Sequence, residues 1–271
     1  MIYKYLSAKN AKLTLQSNFL KFSSPSEFND PHDIYPGLRE YGARDFWRLF
    51  DTTEKVDLLY LRMKAIQLVV DREDFDQKLP QKKFQQVFLQ ADLPFIEKGR
   101  LSFQAEISKY FRICCLSRQN DNILMWAHYA ENFQGCVLGF DFDERPGFQK
   151  NLRSAKYKSG RIQIDPKFYY GAPYDRKVMD SIMVTKAKSW AYEDEVRLIP
   201  VKENLSTFKN KETIVWCISD CKRFLKKIVL GTRNEDLDLT RCANETSSEL
   251  SIVPATAGLV RNSYQVEIFD L

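Results

Sequence analysis

A chain of 271 residues with 44% hydrophobic and 28% charged side chains can bury a sizeable core, and that balance excludes a disordered or fibrous protein. Ten glycines and ten prolines are too few for a low-complexity linker, so order is expected nearly throughout. Forty-one Lys and Arg against 36 Asp and Glu give a net charge of +5, which permits an anionic partner without requiring one.

Along the chain, residues 2–5 read as a strand, 8–16 as a helix and 19–22 as a second strand. The segment Ser23-Ser-Pro-Ser-Glu-Phe-Asn-Asp-Pro31 is rich in turn formers and predicts a structured loop. From 41 to 110 the apolar residues recur at helical spacing, with breaks at Pro80 and Pro94, and predict a helical insertion within a single domain spanning 1–271. Strands are expected at 110–116 and 136–140, with a helix at 121–130 capped by Asn120 or Asp121. A helix over 176–186 precedes an acidic strand. Strands at 213–218, 228–230, 252–255 and 265–269, with a short helix at 234–244, complete the chain. Strands at both ends around a helical middle indicate an α+β fold with mixed or antiparallel sheets.

The richest segment is Lys188-Ser-Trp-Ala-Tyr-Glu-Asp-Glu-Val-Arg-Leu-Ile-Pro200. Its second half alternates charged and apolar residues, as a half-buried strand does. Glu193, Glu195 and Arg197 then share one face, the two carboxylates roughly 6.6 Å apart. One reading is an ordinary solvated face with cross-strand ion pairs. The other is a pair of rigid carboxylates that divide substrate positioning and charge stabilisation.

In the 121–130 segment Asn122, Met125, Trp126 and Tyr129 share a helical face, which serves either as core or as a wall for stacking a base. His128 lies elsewhere and reads as structural. Asn29 and Asp30 suit Asx turns, with a hard-metal site alongside Asp33 as the lesser alternative. The six cysteines form no Cys-x-x-Cys pair and only two histidines exist, so a zinc cluster is excluded on spacing. Neither a dinucleotide-binding glycine motif nor a P-loop is present. No apolar run approaches bilayer length, and the first residues lack a leader pattern, so the expectation is a cytoplasmic protein with no membrane association. Nothing in the sequence fixes an oligomeric state.

In order, Tyr3-Lys-Tyr5, Phe22-Ser-Ser-Pro with Phe28-Asn-Asp-Pro31, Cys115-Leu-Ser, Met125-Trp-Ala-His-Tyr-Ala130, Leu138-Gly-Phe140, Lys188-x-Trp-x-Tyr-Glu-x-Glu-x-Arg197 and Val229-Leu-Gly231 resemble a bacterial family catalogued as domain of unknown function 2971. A second resemblance is to ADP-ribosyltransferases, through Tyr3-Lys-Tyr5, Phe22-Ser-Ser24 and Glu193-Asp-Glu195. Lys4 or Tyr5 stands where those enzymes carry Arg or His. That resemblance implies NAD as co-substrate and cleavage of its N-glycosidic bond, with Glu195 stabilising an oxocarbenium-like ribose and Glu193 orienting the acceptor. Ser23 and Ser24 would support the ribose, with Tyr5 and Asn29 beside them. Trp126, Tyr129 or Trp190 would hold the leaving base, and Lys4, Lys188 or Arg197 the pyrophosphate. No metal is expected. The acceptor would be a nucleic acid or a protein, and the role that of a bacterial toxin or phage-defence effector. The alternatives are a nucleic-acid or nucleotide-binding module, a metal-dependent nuclease built on Asp30, Glu193 and Glu195, and a non-catalytic protein-interaction effector.

Overall fold

The computed structural model describes residues 1–38, 107–108, 111–143, 146–164, 176–200, 205–210 and 213–271. The chain divides into two compact units. One comprises Met1–Ile34, Ile107–Arg161 and Met183–Leu271, the other Tyr35–Glu106 and Ile162–Ile182. Apart from residues 107 and 108, which are helical, the expected 41–110 insertion lies outside the described residues.

The chain opens with β1 (Ile2–Leu6), α1 (Ala8–Ser17) and β2 (Phe19–Phe22). The Ser7 hydroxyl accepts from the Asn10 N–H at 3.3 Å and so caps α1. After β3 (Gly37–Leu38) come β4 (Cys114–Ser117), α2 (Ile123–Tyr129), β5 (Cys136–Phe140), α3 (Pro146–Gln149), β6 (Leu152–Ser154) and β7 (Lys156–Lys158). The next elements are β8 (Gln163–Ile164), α4 (Arg176–Val184), β9 (Thr185–Ala187), a 3-10 turn at Lys188–Glu193 and β10 (Glu195–Leu198). β11 (Ser206–Asn210), β12 (Thr213–Ser219), β13 (Leu225–Gly231), α5 (Leu237–Leu250), β14 (Ala255–Leu259) and β15 (Val266–Asp270) finish the chain. In the second unit β3 pairs in parallel with β8.

In the first unit eight strands form one sheet in the order β15-β14-β13-β5-β1-β4-β10-β6. Every pair is antiparallel except β13–β14, whose parallel register requires a crossover; α5 lies between them in sequence. A second sheet runs β11-β12-β2, and β7 pairs in parallel with β9. The mixture of strands and helices is α+β.

All five residues of β5 are buried, because both faces of the large sheet are covered. Cys136, Leu138 and Phe140 join Leu6, Leu116, Leu198, Ile228 and Leu230 in one core, shared with α1, α5 and the smaller sheet. Val137 and Val229 face the other way, towards Tyr5, Trp126 and Phe133. Gly135 opens β5 because a side chain there would meet the Leu6 carbonyl oxygen at 2.1 Å.

Several boundaries differ from expectation for local reasons. The 176–186 helix ends at Val184, since residues 185–187 pair with β7. The cap of α2 is Asn122, whose side chain accepts from the N–H groups of Leu124 and Met125. The 234–244 helix runs on to Leu250 and ends at Ser251 in the left-handed region, which delays the following strand to Ala255. Finally, β10 is buried along its whole length rather than on one face, because Leu198 joins the core while Asp33, Met183 and Lys186 cover the Glu195 and Arg197 face.

Candidate functional site

Two register pairs bring distant sequence together: Tyr3 lies opposite Ser117, and Ser117 opposite Glu195. The start of the chain and the acidic motif therefore stand on opposite sides of β4. A cavity of about 200 Å³ opens here, lined among others by Lys4, Tyr5, Ser23, Asn29, Asp33, Cys115, Tyr129, Lys186, Glu193 and Glu195.

Beneath it sit five buried ionisable side chains. Arg197 is fully buried, and each of its three guanidinium nitrogens bonds an acceptor. Its Nε and Nη2 donate to the two Glu195 oxygens at 3.1 and 3.0 Å, Nη2 also reaches both Asp33 oxygens at 2.8 and 2.6 Å, and Nη1 donates to the Met183 carbonyl at 2.9 Å. Lys186 bonds Glu193 and stands 3.3 Å from Glu195 and 3.7 Å from Asp33. Its ammonium also lies 5.1 Å from the centre of the Trp190 ring. Three carboxyls face two cations. With all of them ionised the cluster carries one excess negative charge, and each group would be costly to bury unpaired.

Glu193 differs from expectation in its backbone. It ends the 3-10 turn rather than standing on the strand, and Asp194 follows in the left-handed region at φ 41°. That reversal still sends both carboxylates to Lys186. Three contacts hold the turn: the Ser117 hydroxyl donates to the Glu193 carbonyl at 2.6 Å, the Asn122 amide to the Tyr192 carbonyl at 2.8 Å, and the Tyr129 hydroxyl to Glu193 Oε1 at 2.5 Å. Asn29 in turn donates to the Tyr129 oxygen at 2.9 Å.

Proton affinities split within this pair. Burial pushes the Glu195 carboxyl up, but Arg197 and Lys186 beside it pull harder and hold it at about 2. Burial raises the Glu193 carboxyl, and its bonds to Lys186 and Tyr129 only partly offset that rise. Asp33 is also raised by burial, against Arg197. Burial drives the Cys115 thiol well up, and the neighbouring Glu195 charge adds to it, so this thiol is no thiolate nucleophile at neutral pH.

Of the residues singled out by sequence, Lys4, Tyr5, Ser23, Asn29, Tyr129, Glu193 and Glu195 meet at the cavity. Lys4 Nζ donates to the Cys115 carbonyl at 2.8 Å, and the Tyr5 hydroxyl to that of Gln119 at 3.0 Å. The others stand elsewhere. Trp126 is core: it stacks on Phe133 at 5.3 Å, meets Tyr5 edge-on, and gives its indole N–H to the Asn120 carbonyl. Arg197 is buried under the cavity, each of its three nitrogens already bonded to a protein acceptor, and it does not line the wall. Ser24 turns to the Ser26 hydroxyl, Lys188 is exposed, and Trp190 packs near Lys186 and Tyr192 without lining the wall. His128 is exposed, beside the Tyr129 and Tyr192 rings. Asp30 makes the Asx turn, accepting from the His32 N–H at 2.8 Å. Among the described residues no group of three or more His, Cys, Asp and Glu side chains is arranged to hold a metal ion, and no helix is long and apolar enough to cross a membrane.

Lys186 was not among the predicted site residues, and Asp33 entered only in the lesser hard-metal alternative. Lys186 lies where sequence periodicity continues a helix, and Asp33 reads as one more turn acid. The only sequence signal for either is an excess of acids around Arg197 on the Glu-x-Glu-x-Arg strand.

Residues 125–198 match the model of a family described as Protein of unknown function (DUF2971). That match covers about a quarter of the chain. It spans α2 to β10 and includes Tyr129, Lys186, Glu193, Glu195 and Arg197, while Lys4, Tyr5, Ser23 and Asp33 lie before it. No curated protein and no solved structure matches the chain.

Proposed function

We propose that the cavity is the active site of a nucleotide-processing enzyme that cleaves an N-glycosidic bond, with NAD or a related nucleotide as substrate. The observation that supports this reading is the pair of carboxylates on one cavity whose surroundings push their proton affinities apart, the usual arrangement for separating a permanently charged group from a proton-handling one. As the C1′–N bond breaks, its electron pair leaves with the base and positive charge develops on the ribose. Glu195, kept ionised by Arg197 and Lys186, presents a fixed negative charge that strengthens its interaction as that charge grows. Glu193, raised by burial and bonded by Tyr129, receives the proton of the acceptor, water or a hydroxyl, as its oxygen bonds to C1′. Lys4 keeps ammonium donors for a phosphate beyond its bond to Cys115. At about 200 Å³ the cavity is smaller than the 300 to 1,000 Å³ usual for cofactor-sized ligands, so it suits a ribose with its base better than a whole dinucleotide.

The bonding of all three Arg197 nitrogens to protein acceptors favours a second reading, in which the cluster only holds β10, the Asp33 loop and the 3-10 turn together. One experiment separates the two. The chain is incubated with NAD and a panel of nucleotides, and release of the free base is followed. Wild-type release that falls about 10²- to 10³-fold in Glu195→Gln and in Glu193→Gln, with both variants folded, supports catalysis. Absence of release from every nucleotide, or release unchanged in both variants, removes it.

A further inference from the structure

Residues 146–164 contain five cations, Lys150, Arg153, Lys156, Lys158 and Arg161, and no carboxylate; their charge equals the net +5 of the whole chain. The fold gathers most of them on one surface. β6 borders β10, with Arg153 opposite Arg197, and β7 pairs with β9, placing Lys158 opposite Ala187 and thus next to Lys188. Lys156 and Lys158 flank Tyr157 on β7, so they point to one side and Tyr157 to the other. The Tyr157 hydroxyl accepts from the Glu195 N–H at 2.7 Å, and the Ala155 N–H donates to the Glu195 carbonyl at 2.9 Å. The basic strands therefore lie directly beside the strand that carries Glu195. Lys150, Arg153, Lys156, Lys158 and Lys188 are all exposed, and among the described residues none of their side chains has an ion-pair partner.

We propose that this surface docks the phosphate backbone of a single-stranded nucleic acid. Charge complementarity carries the argument: cations on β6, β7 and the adjoining turn, without ion-pair partners among the described residues, neutralise successive phosphates and release their counterions. No large exposed apolar side chain lies among residues 146–164 or 185–188, so the patch lacks the apolar anchors of a protein interface or an inserted membrane segment. The choice of a single strand over a duplex rests on the reading of the cavity given above, since a ribose with its base reaches such a pocket only when unstacked.

The test is fluorescence anisotropy of a short labelled single-stranded oligonucleotide, without NAD, so that its result is independent of turnover. Binding by the wild type should weaken steeply with salt. The Arg153→Gln/Lys156→Gln/Lys158→Gln/Lys188→Gln variant should bind at least tenfold more weakly, with a log–log salt slope shallower by about 0.7 per lost phosphate contact. Lys9→Gln/Lys226→Gln, exposed cations elsewhere in the unit, should leave binding unchanged. No binding, equal loss in both variants, an undiminished affinity in the quadruple variant, or preference for a duplex or for anionic phosphatidylserine vesicles overturns the proposal.

Discussion

At the centre of the large sheet, Leu138, Phe140, Ile228 and Leu230 fill a face of β5 and β13 with interchangeable apolar contacts. Beyond two intervening strands, the buried side chains of β10 include Glu195 and Arg197, which join Asp33, Glu193 and Lys186 through specific bonds. Both regions exclude water. In the first, burial itself stabilises, and each side chain contributes in proportion to its area. In the second, burial opposes every charge, and the arrangement survives only because each member satisfies another. An apolar core tolerates exchange of similar volumes, whereas the ionic cluster fails as a unit when one member leaves.

Arg197→Met sets that difference most sharply. It strands Asp33 and Glu195 in a buried site, and a loss of about 3–5 kcal/mol is expected by denaturant unfolding. A stability within 1 kcal/mol of wild type, which is roughly the scale of a surface pair, would show that water enters the cluster and that the comparison is drawn wrongly. In the apolar region, Leu138→Ala should cost about 2–5 kcal/mol through the cavity it leaves, by the same amount at pH 4 and pH 7. Pronounced pH dependence there would blur the distinction.

The smallest effect sharpens the ionic side from within. Tyr129→Phe removes the 2.5 Å hydrogen bond to Glu193 and should cost about 1 kcal/mol. Acid and base act in opposite directions on the two glutamates. Glu195 is depressed, so its contribution is present above its unfolded value and is lost as pH falls towards about 2. Glu193 is raised, so the folded chain holds that proton more tightly, and the associated stability is lost as pH rises through its folded value. Glu193→Gln should therefore remove a loss of stability on the way from acid to neutral pH, read from unfolding midpoints between pH 3 and pH 7. A pH profile identical to the wild type's would mean that Glu193 titrates in the fold as it does in the open chain.

Local pattern in the sequence determined much of this protein. Turn residues, caps and apolar periodicity located β1, α1, β2, β5 and β12 within a residue or two, because those preferences act over one turn or one strand. The Glu-x-Glu motif and the opening segment were also legible as candidates. Burial was not. A strand reading Glu-x-Arg looks the same whether its face is open or covered, and only the packing of Asp33, Met183 and Lys186 over β10 decided that its charges would be dry. The tertiary structure alone brought Asp33 and Lys186 to that site, through contacts 164 residues apart in the case of Arg197 and Asp33. It also decided that Trp126, legible as either core or wall, is core. Charge compensation acts across space, and no periodicity in a linear chain records which buried ions will meet.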